Sequence, residues 1–399
     1  MVNIMKSSKN KIGIITSYHG NYNFGGLLQA YALPTALQKY LGVSAEQIDY
    51  VSLFTGENET KDSLSVRKLI YKVGIFLFNK LEEGNLKKRR KAFEQFMAEI
   101  PHSEKVYDYN NISDSVERYS AFICGGDQIW SDFKQTGWFG SQDLLVYTLQ
   151  FVPQHIKKIA DAPSMATLEL TNEFKNQFSV GINRLNTISV REKRAVSIIK
   201  QMSDRPISVT VDPVLLLKES DWLDVMNCSF QKEKYILCYI LGDSTEQRKS
   251  AAKYAEKLKC KIIVFPHILQ NSVRKSDLVF GDIRDYSSGP REFLDLIKNA
   301  EVVITDSFHA CVFSMIFKTP LIVFERGKIV GKVDINSRIY DFLEEYHLEN
   351  QLVTAEELTE MKEIPKIDFT YAHEHWKKRR EESLYYLGNA LKDNRYGRE

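Results

Sequence analysis

Between Tyr235 and Phe324 short apolar runs alternate with amphipathic stretches in a fixed order. Strand Tyr235–Leu241, helix Ser244–Leu258, strand Lys261–Phe265, helix Arg291–Asn299, strand Val302–Thr305, helix His309–Phe317 and strand Pro320–Phe324 form a βαβαβαβ succession. Consecutive strands joined through helices must run parallel, and a parallel sheet needs helices over both faces to bury it. This stretch is therefore expected to be a Rossmann-like domain, placed at 235–340. A looser form of the same alternation precedes it. Strand Lys11–Thr16 leads through a glycine-containing turn into a helix near Leu27, and further apolar runs follow at Ala121–Cys124, Lys158–Ala160, Thr187–Val190 and Ile207–Val211. They predict an N-terminal α/β domain over 1–226, joined to the second by the polar, aperiodic segment Asn227–Lys234. Beyond the second domain, helical patterns at Asn336–Tyr346, Ala355–Lys362 and Tyr371–Leu391 predict a helical tail over 341–399 that packs back on the body.

The 399 residues suffice for two such domains. Lys and Arg number 54 against 52 Asp and Glu, a net charge of +2, so any anion site must be local and general nucleic-acid binding is not expected. The five Cys lack a C-x-x-C spacing and have mostly apolar neighbours, which reads as reduced thiols and a cytoplasmic protein. The polar start, Met1–Asn10, and the shortness of the apolar runs predict neither a signal peptide nor a membrane span. The basic run Lys87–Lys91 reads as a solvated helix face, with only a faint suggestion of membrane contact.

Ligand crevices in parallel α/β sheets open at the carboxyl ends of the strands, so candidate site residues are sought there. In Ile304-Thr305-Asp306-Ser307-Phe308-His309 a buried strand passes into an almost wholly apolar helix. Asp306 or Ser307 caps that helix, and His309 falls in its first turn, where free N–H groups favour an anion. His309 is either an acid or base presented to a ligand or a satisfied core histidine. Asn21, Asn23 and Gly25 lie in the first turn, with His19 nearby, and suit hydrogen bonding to sugar hydroxyls as well as an ordinary polar turn. Asp127, Gln128 and Trp130 follow another strand, where they offer carboxylate, amide and aromatic face to a carbohydrate or form a capped turn around a structural Trp. Arg191 closes a further strand as either an anion clamp or the partner of a carboxylate such as Glu192. Lys332, Asn336, Ser337 and Arg338 follow the last parallel strand, with Arg338 a second candidate anion clamp. His373 and His375 diverge on a helix and do not predict a metal site.

Six segments in order resemble the polysaccharide pyruvyl transferase family over roughly residues 11–340: Gly20-Asn21-Tyr22-Asn23-Phe24-Gly25-Gly26, Gly126-Asp127-Gln128-Ile129-Trp130, Ser189-Val190-Arg191-Glu192, Val211-Asp212-Pro213-Val214, Gly289-Pro290-Arg291-Glu292-Phe293-Leu294 and Ile304-Thr305-Asp306-Ser307-Phe308-His309. The resemblance implies two Rossmann-like domains facing a cleft in the manner of GT-B glycosyltransferases. It also implies transfer of a group from phosphoenolpyruvate onto a glycan or lipid-linked oligosaccharide as a pyruvate ketal, and since no step of that chemistry requires a metal, neither a metal nor a further cofactor is expected. Some family members carry Arg-Leu-His where this chain has Ser307-Phe308-His309, the Arg contacting the donor. Here Arg191 and Arg338 are the expected substitutes, with Ser307, Asn336, Ser337 and Lys332 beside them. His309 is then the acid or base, Asp306 its orienting partner, and Asn21, Asn23, Gly25, Asp127, Gln128 and Trp130 the acceptor side. A lipid-linked acceptor would bring transient membrane contact. Two alternatives remain: a nucleotide-sugar glycosyltransferase of the same architecture, and a noncatalytic glycan-binding protein of a polysaccharide assembly complex.

Overall fold

The computed structural model of the chain describes residues 11–53, 74, 78–167, 169–226, 233–269, 272–327, 334 and 336–392. They divide into two compact units, one within 1–57, 98–217 and 378–399, the other within 58–97 and 218–377. Both units are parallel α/β, as the alternation of apolar runs requires.

In the first unit, strands β1 (Ile12–Ile15), β2 (Ala45–Gln47), β3 (Ala121–Gly126), β4 (Lys157–Pro163), β5 (Thr187–Val190) and β6 (Ile207–Val209) form one sheet in the order β2-β1-β3-β4-β5-β6. Its pairings are all parallel. Every residue of β1 and β3 is buried, because a parallel sheet is covered on both faces and its strands are therefore continuously apolar. β2 is the exception and was not legible as a strand. Its Glu46 is buried among apolar neighbours, where its two carboxylate oxygens accept from Lys11 Nζ at 2.6 Å and Tyr119 Oη at 2.7 Å. At the end of β3 the chain bends between Gly125 and Gly126. Gly126 has φ +106°, and a Cβ there would stand 2.3 Å from Thr16 Oγ1, so a larger residue would displace the turn that carries Asp127.

In the second unit, β7 (Tyr235–Tyr239), β8 (Lys261–Val264), β11 (Ile283–Arg284), β12 (Val302–Thr305) and β13 (Leu321–Val323) pair in the order β11-β8-β7-β12-β13, again all parallel. β9 (Ile268–Leu269) and β10 (Ser272–Val273) form a separate antiparallel pair. The helix Thr245–Leu258 starts where Ser244 accepts from Gln247 N at 3.2 Å. The helix Pro290–Asn299 opens with Pro at its first position and the Gly289 N–H donating to Glu292 Oε2 at 2.9 Å.

The units do not follow the chain linearly, which corrects the expected division into 1–226, 235–340 and 341–399. The helix Glu83–Glu99 falls almost wholly within the second unit's segment, and the Cβ of Ala92 stands 2.6 Å from where a Gly289 side chain would begin. Helix Glu219–Val225 also belongs there, through Trp222 set edge-on to Phe313 at 5.0 Å. The expected linker Asn227–Lys234 lies mostly outside the described residues. The tail does pack back, but it is shared. Residues up to 377 of the helix Thr370–Lys392 count with the second unit, and those from 378 onward with the first. There Arg380 Nε donates to Leu216 O at 2.7 Å and its guanidinium lies 4.1 Å from the Tyr40 ring centroid. Cys124, Cys238, Cys260 and Cys311 are free thiols, whereas Cys228 lies outside the described residues.

Candidate functional site

The carboxyl edge of the first sheet holds a network of interlocked polar side chains. Gln29, from the helix Phe24–Leu41, accepts from Asp127 N at 2.9 Å and donates to Asp212 Oδ2 at 2.9 Å. Arg191, at the end of β5, donates to Asp127 Oδ1 at 2.7 Å and to Asp212, while Glu192 lies 3.7 Å from its Nε. Burial disfavours the Arg191 charge, but the carboxylates of Asp212, Asp127 and Glu192 outweigh it and hold the guanidinium more firmly protonated. Its side chain is 5% exposed. This corrects the expectation of a donor clamp. Arg191 turns Nη1 and Nη2 to the protein's own carboxylates and positions Asp127, whose side chain is 26% exposed.

Asp127 borders a pocket of about 410 Å³ together with Asn21, Asn23, Gly26, Gln128 and Trp138. Asn21 and Asn23 shape its rim through local bonds. Asn21 Nδ2 donates to Ser17 O at 2.8 Å, its Oδ1 accepts from Asn23 N at 2.9 Å, and Asn23 Oδ1 caps the helix by accepting from Gly26 N at 3.1 Å. The bordering glycine is thus Gly26, whose missing side chain makes room for Asn21 Nδ2 at 2.5 Å from the Cβ position, while Gly25 is buried in the first helical turn. Gln128 holds a left-handed backbone at φ +59°. Trp130 is displaced from its expected role as a sugar platform. It is fully buried in the core, and its indole N–H donates to Tyr147 O at 3.1 Å. The pocket's indole is Trp138 instead, which is 46% exposed. Sequence inspection misses it because no strand end or glycine pair flags it.

Behind this edge, Asp161 at the end of β4 is fully buried. Its Oδ1 accepts from Thr210 Oγ1 at 3.3 Å and lies 3.5 Å from Ser189 Oγ, and its Oδ2 has no hydrogen-bond partner. Burial pushes its carboxyl up to about 7, the two hydroxyls pull it down, and the Asp212 charge adds to the rise. A carboxyl raised on folding penalises the folded state only where it must ionise. The penalty is absent below the ordinary carboxylate range, grows as pH rises toward 7 and is complete above it. Asp161→Asn is therefore expected to gain on the parent by on the order of 2–4 kcal/mol between pH 5 and pH 8, read as the difference in melting temperature at each pH. An offset that stays constant with pH would refute the assignment.

The second sheet's carboxyl edge carries a different chemistry. Asp306 follows β12, and its two carboxylate oxygens accept from Leu241 N and Gly242 N at 2.6 Å each. A Cβ on Gly242 would stand 2.8 Å from both Asp306 Oδ2 and Arg326 O, so the close approach depends on glycine. Asp306 thus ties the turn after β7 to the end of β12. Its carboxylate serves these backbone amides and also lies 3.9 Å from Arg326 Nε. Ser307 is the N-cap residue of the helix Phe308–Phe317, but its side chain makes no capping bond; its N–H donates to Thr305 Oγ1 at 3.0 Å. His309 lies in the first turn, 6% exposed, with its ring edge-on to Phe308 at 5.1 Å.

Arg338 is buried, with its guanidinium 5.8 Å from the Phe308 ring centroid. Asn336 accepts from Arg326 N at 2.9 Å and donates to Gly327 O at 2.9 Å, while Ser337 N donates to Asp334 Oδ1 at 3.1 Å. Asn336 and Ser337 thus hold the loop that presents Arg326. Lys332 lies outside the described residues.

Arg326 follows β13, the last parallel strand, where the strand pattern places a cation without giving it a role. It donates to Asp306 O at 3.0 Å, and its side chain is 21% exposed. Its charge acts on His267, at the end of β8, along with those of Arg274, Arg89 and Arg248. Burial first, and then these cations, push His267 down to about 4. Arg248 is matched by Asp277 at 2.7 Å. Arg89, from the basic run, is turned inward, its guanidinium 5.2 Å from the Phe93 ring centroid, and burial lowers its pKa. Lys87, Lys88, Arg90 and Lys91 are exposed helix surface, as expected.

The first unit's carboxyl edge thus holds amides, a carboxylate and an indole around one pocket, and the second unit's edge holds Arg326 and His309. Residues 23–328 match the family model for polysaccharide pyruvyl transferase. The chain belongs to that family. No curated protein matches it. Among solved structures, the chain is similar to UDP-N-acetylglucosamine 2-epimerase from Rickettsia bellii, at 10% identity and a TM-score of 0.49, covering 97% of this chain and 99% of that one. It is also similar to UDP-GlcNAc 2-epimerase from Neisseria meningitidis bound to UDP-GlcNAc, at 13% identity, a TM-score of 0.45 and coverage of 94% and 99%. A UDP-glucosyltransferase from Polygonum tinctorium follows, at 11% identity, a TM-score of 0.45 and coverage of 96% and 98%. Among the described residues no helix is long and apolar enough to cross a membrane.

Proposed function

We propose that this family member takes phosphoenolpyruvate as donor and forms a pyruvate ketal on two hydroxyls of a polysaccharide or its precursor, free or lipid-linked. The observation that carries the reading is Arg326, which follows β13, donates to Asp306 O at 3.0 Å and keeps its side chain 21% exposed at the edge where β12 leads into the helix of His309. Phosphoenolpyruvate is a small polyanion with a phosphate and a carboxylate, and planar guanidiniums bind both in bidentate fashion.

In the proposed reaction His309 delivers a proton to the methylene carbon of the donor, which leaves C2 electron-poor. One sugar hydroxyl adds at C2 and gives up its proton to the deprotonated His309, restoring the acid. Phosphate then departs with the C–O bonding electrons, the second hydroxyl closes on C2, and its proton leaves with the phosphate. The products are the ketal and inorganic phosphate, and charge and atoms balance without any redox partner. The first unit's pocket supplies the acceptor side in this reading.

The test is incubation with phosphoenolpyruvate and a panel of glycosides, following phosphate release and a mass gain of one pyruvate less one water on the sugar. Turnover of a nucleotide sugar in place of phosphoenolpyruvate would establish the glycosyltransferase alternative. Arg326→Ala is expected to weaken phosphoenolpyruvate binding roughly 10- to 100-fold by calorimetry, the value of one or two charge-assisted hydrogen bonds, and Arg326→Lys to restore only part of it. Parent-like binding by Arg326→Ala would place the donor elsewhere.

A further inference from the structure

We propose that the first unit's pocket is a subsite for an uncharged pyranose ring, with Trp138 as its stacking platform; this rests on the reading of that unit as the acceptor side. An exposed aromatic alone would signify little. Trp138, however, is mounted rigidly. On one side Gly137 caps the helix Phe133–Thr136 in a left-handed conformation at φ +62°, its N–H donating to Phe133 O at 3.0 Å. On the other, Phe139 is buried edge-on to Tyr147 at 5.5 Å. The next residue, Gly140, donates its N–H to Asp143 Oδ2 at 2.8 Å. Asp143 is fixed in turn by Tyr50 Oη at 2.6 Å and Ser52 Oγ at 2.8 Å. The turn is thus anchored at both ends while the indole between them stays 46% exposed at the pocket wall.

The chemistry of the wall selects the ligand class. A pyranose presents a face of polarised C–H bonds that packs on a π-system, and a rim of hydroxyls that needs amide and carboxylate partners. Asn21, Asn23, Gln128 and Asp127 border the same space as Trp138. Among the described residues none of the lining is Lys, Arg or His, and its one ionic group is the Asp127 carboxylate. Asp127 is already paired with Arg191 at 2.7 Å, and a uronate or a sugar phosphate would find no lining cation to receive its charge, so the pocket discriminates against acidic sugars.

The experiment uses the full chain and three probes, methyl β-galactopyranoside, methyl β-glucopyranoside and methyl β-galacturonoside, with binding read by saturation-transfer NMR. At least one neutral glycoside is expected to bind and the galacturonoside to bind at least several-fold more weakly. Trp138→Ala should weaken the neutral glycoside roughly three- to tenfold with an unchanged melting temperature, and Trp138→Phe should retain most of the binding. In turnover, Trp138→Ala should raise the acceptor KM while leaving the phosphoenolpyruvate KM as in the parent. Equal binding of the galacturonoside, parent-like binding by Trp138→Ala, or no binding of any glycoside would overturn the subsite. Sugar binding that depends on Trp138 without consumption of phosphoenolpyruvate would uphold the subsite and sink the proposed reaction, and unaltered transfer by Trp138→Ala would do the reverse.

Discussion

His309→Asn is expected to lower phosphoenolpyruvate-dependent transfer by ~10²–10⁴-fold, the range for loss of one positioned acid or base, with most of the protein still folded. The expectation rests on where the residue sits. The helix Phe308–Phe317 is buried along its whole length, so a merely structural histidine there would cost stability when replaced and leave the turnover of each folded molecule intact. A proton donor at the carboxyl edge of β12, by contrast, is lost from the reaction without unravelling the helix, because Asn preserves polarity at a first-turn position. Melting temperature and turnover per folded molecule, measured on one preparation, separate the two roles. A depressed melting temperature with parent-like turnover would reassign His309 to the core.

Arg191→Ala is expected to destabilise the first unit by about 3–5 kcal/mol, the cost of breaking a buried ion pair while leaving its carboxylates behind. Asp212, with no side-chain exposure, would lose its guanidinium while Gln29 Nε2 at 2.9 Å and Val214 N at 3.0 Å stay in place. Phosphoenolpyruvate affinity of the folded fraction should not change, because the donors of Arg191 already face Asp127 and Asp212. Arg191→Ala with Asp212→Asn should recover part of the loss, since the second change removes one stranded charge. Chemical denaturation together with calorimetric titration gives both numbers. Unaltered stability with lost donor affinity would restore Arg191 as the clamp.

The strands were legible wherever both faces of a sheet are covered, since burial on two sides demands an unbroken apolar run, as at Ile12–Ile15 and Val302–Thr305. β2 escaped because Glu46 is buried by virtue of Lys11 and Tyr119, partners 35 and 73 residues away along the chain. The run Lys87–Lys91 was read as a solvated helix face, but nothing in its sequence assigns the helix Glu83–Glu99 to the unit formed mainly by residues after 217. The strand-end motifs placed Asp127, Gln128, Asp306 and His309 at carboxyl edges as expected, yet the roles of their neighbours depended on pairing. Arg191 was expected to face a donor and faces carboxylates, whereas Arg326 stands beside the Asp306 backbone because β13 lies next to β12. Trp130 and Trp138 differ by eight positions and by complete burial against 46% exposure.

By itself the sequence determined that this chain forms parallel α/β sheets, where their carboxyl edges fall and which family it belongs to, because periodicity, glycine turns and ordered motifs are local properties of a chain. Only the tertiary structure decided which cations are already neutralised, which carboxylate is held by backbone amides and which indole meets solvent. Those depend on desolvation and on partners far apart in sequence, and a charge or an aromatic ring acquires its role from what the fold brings against it.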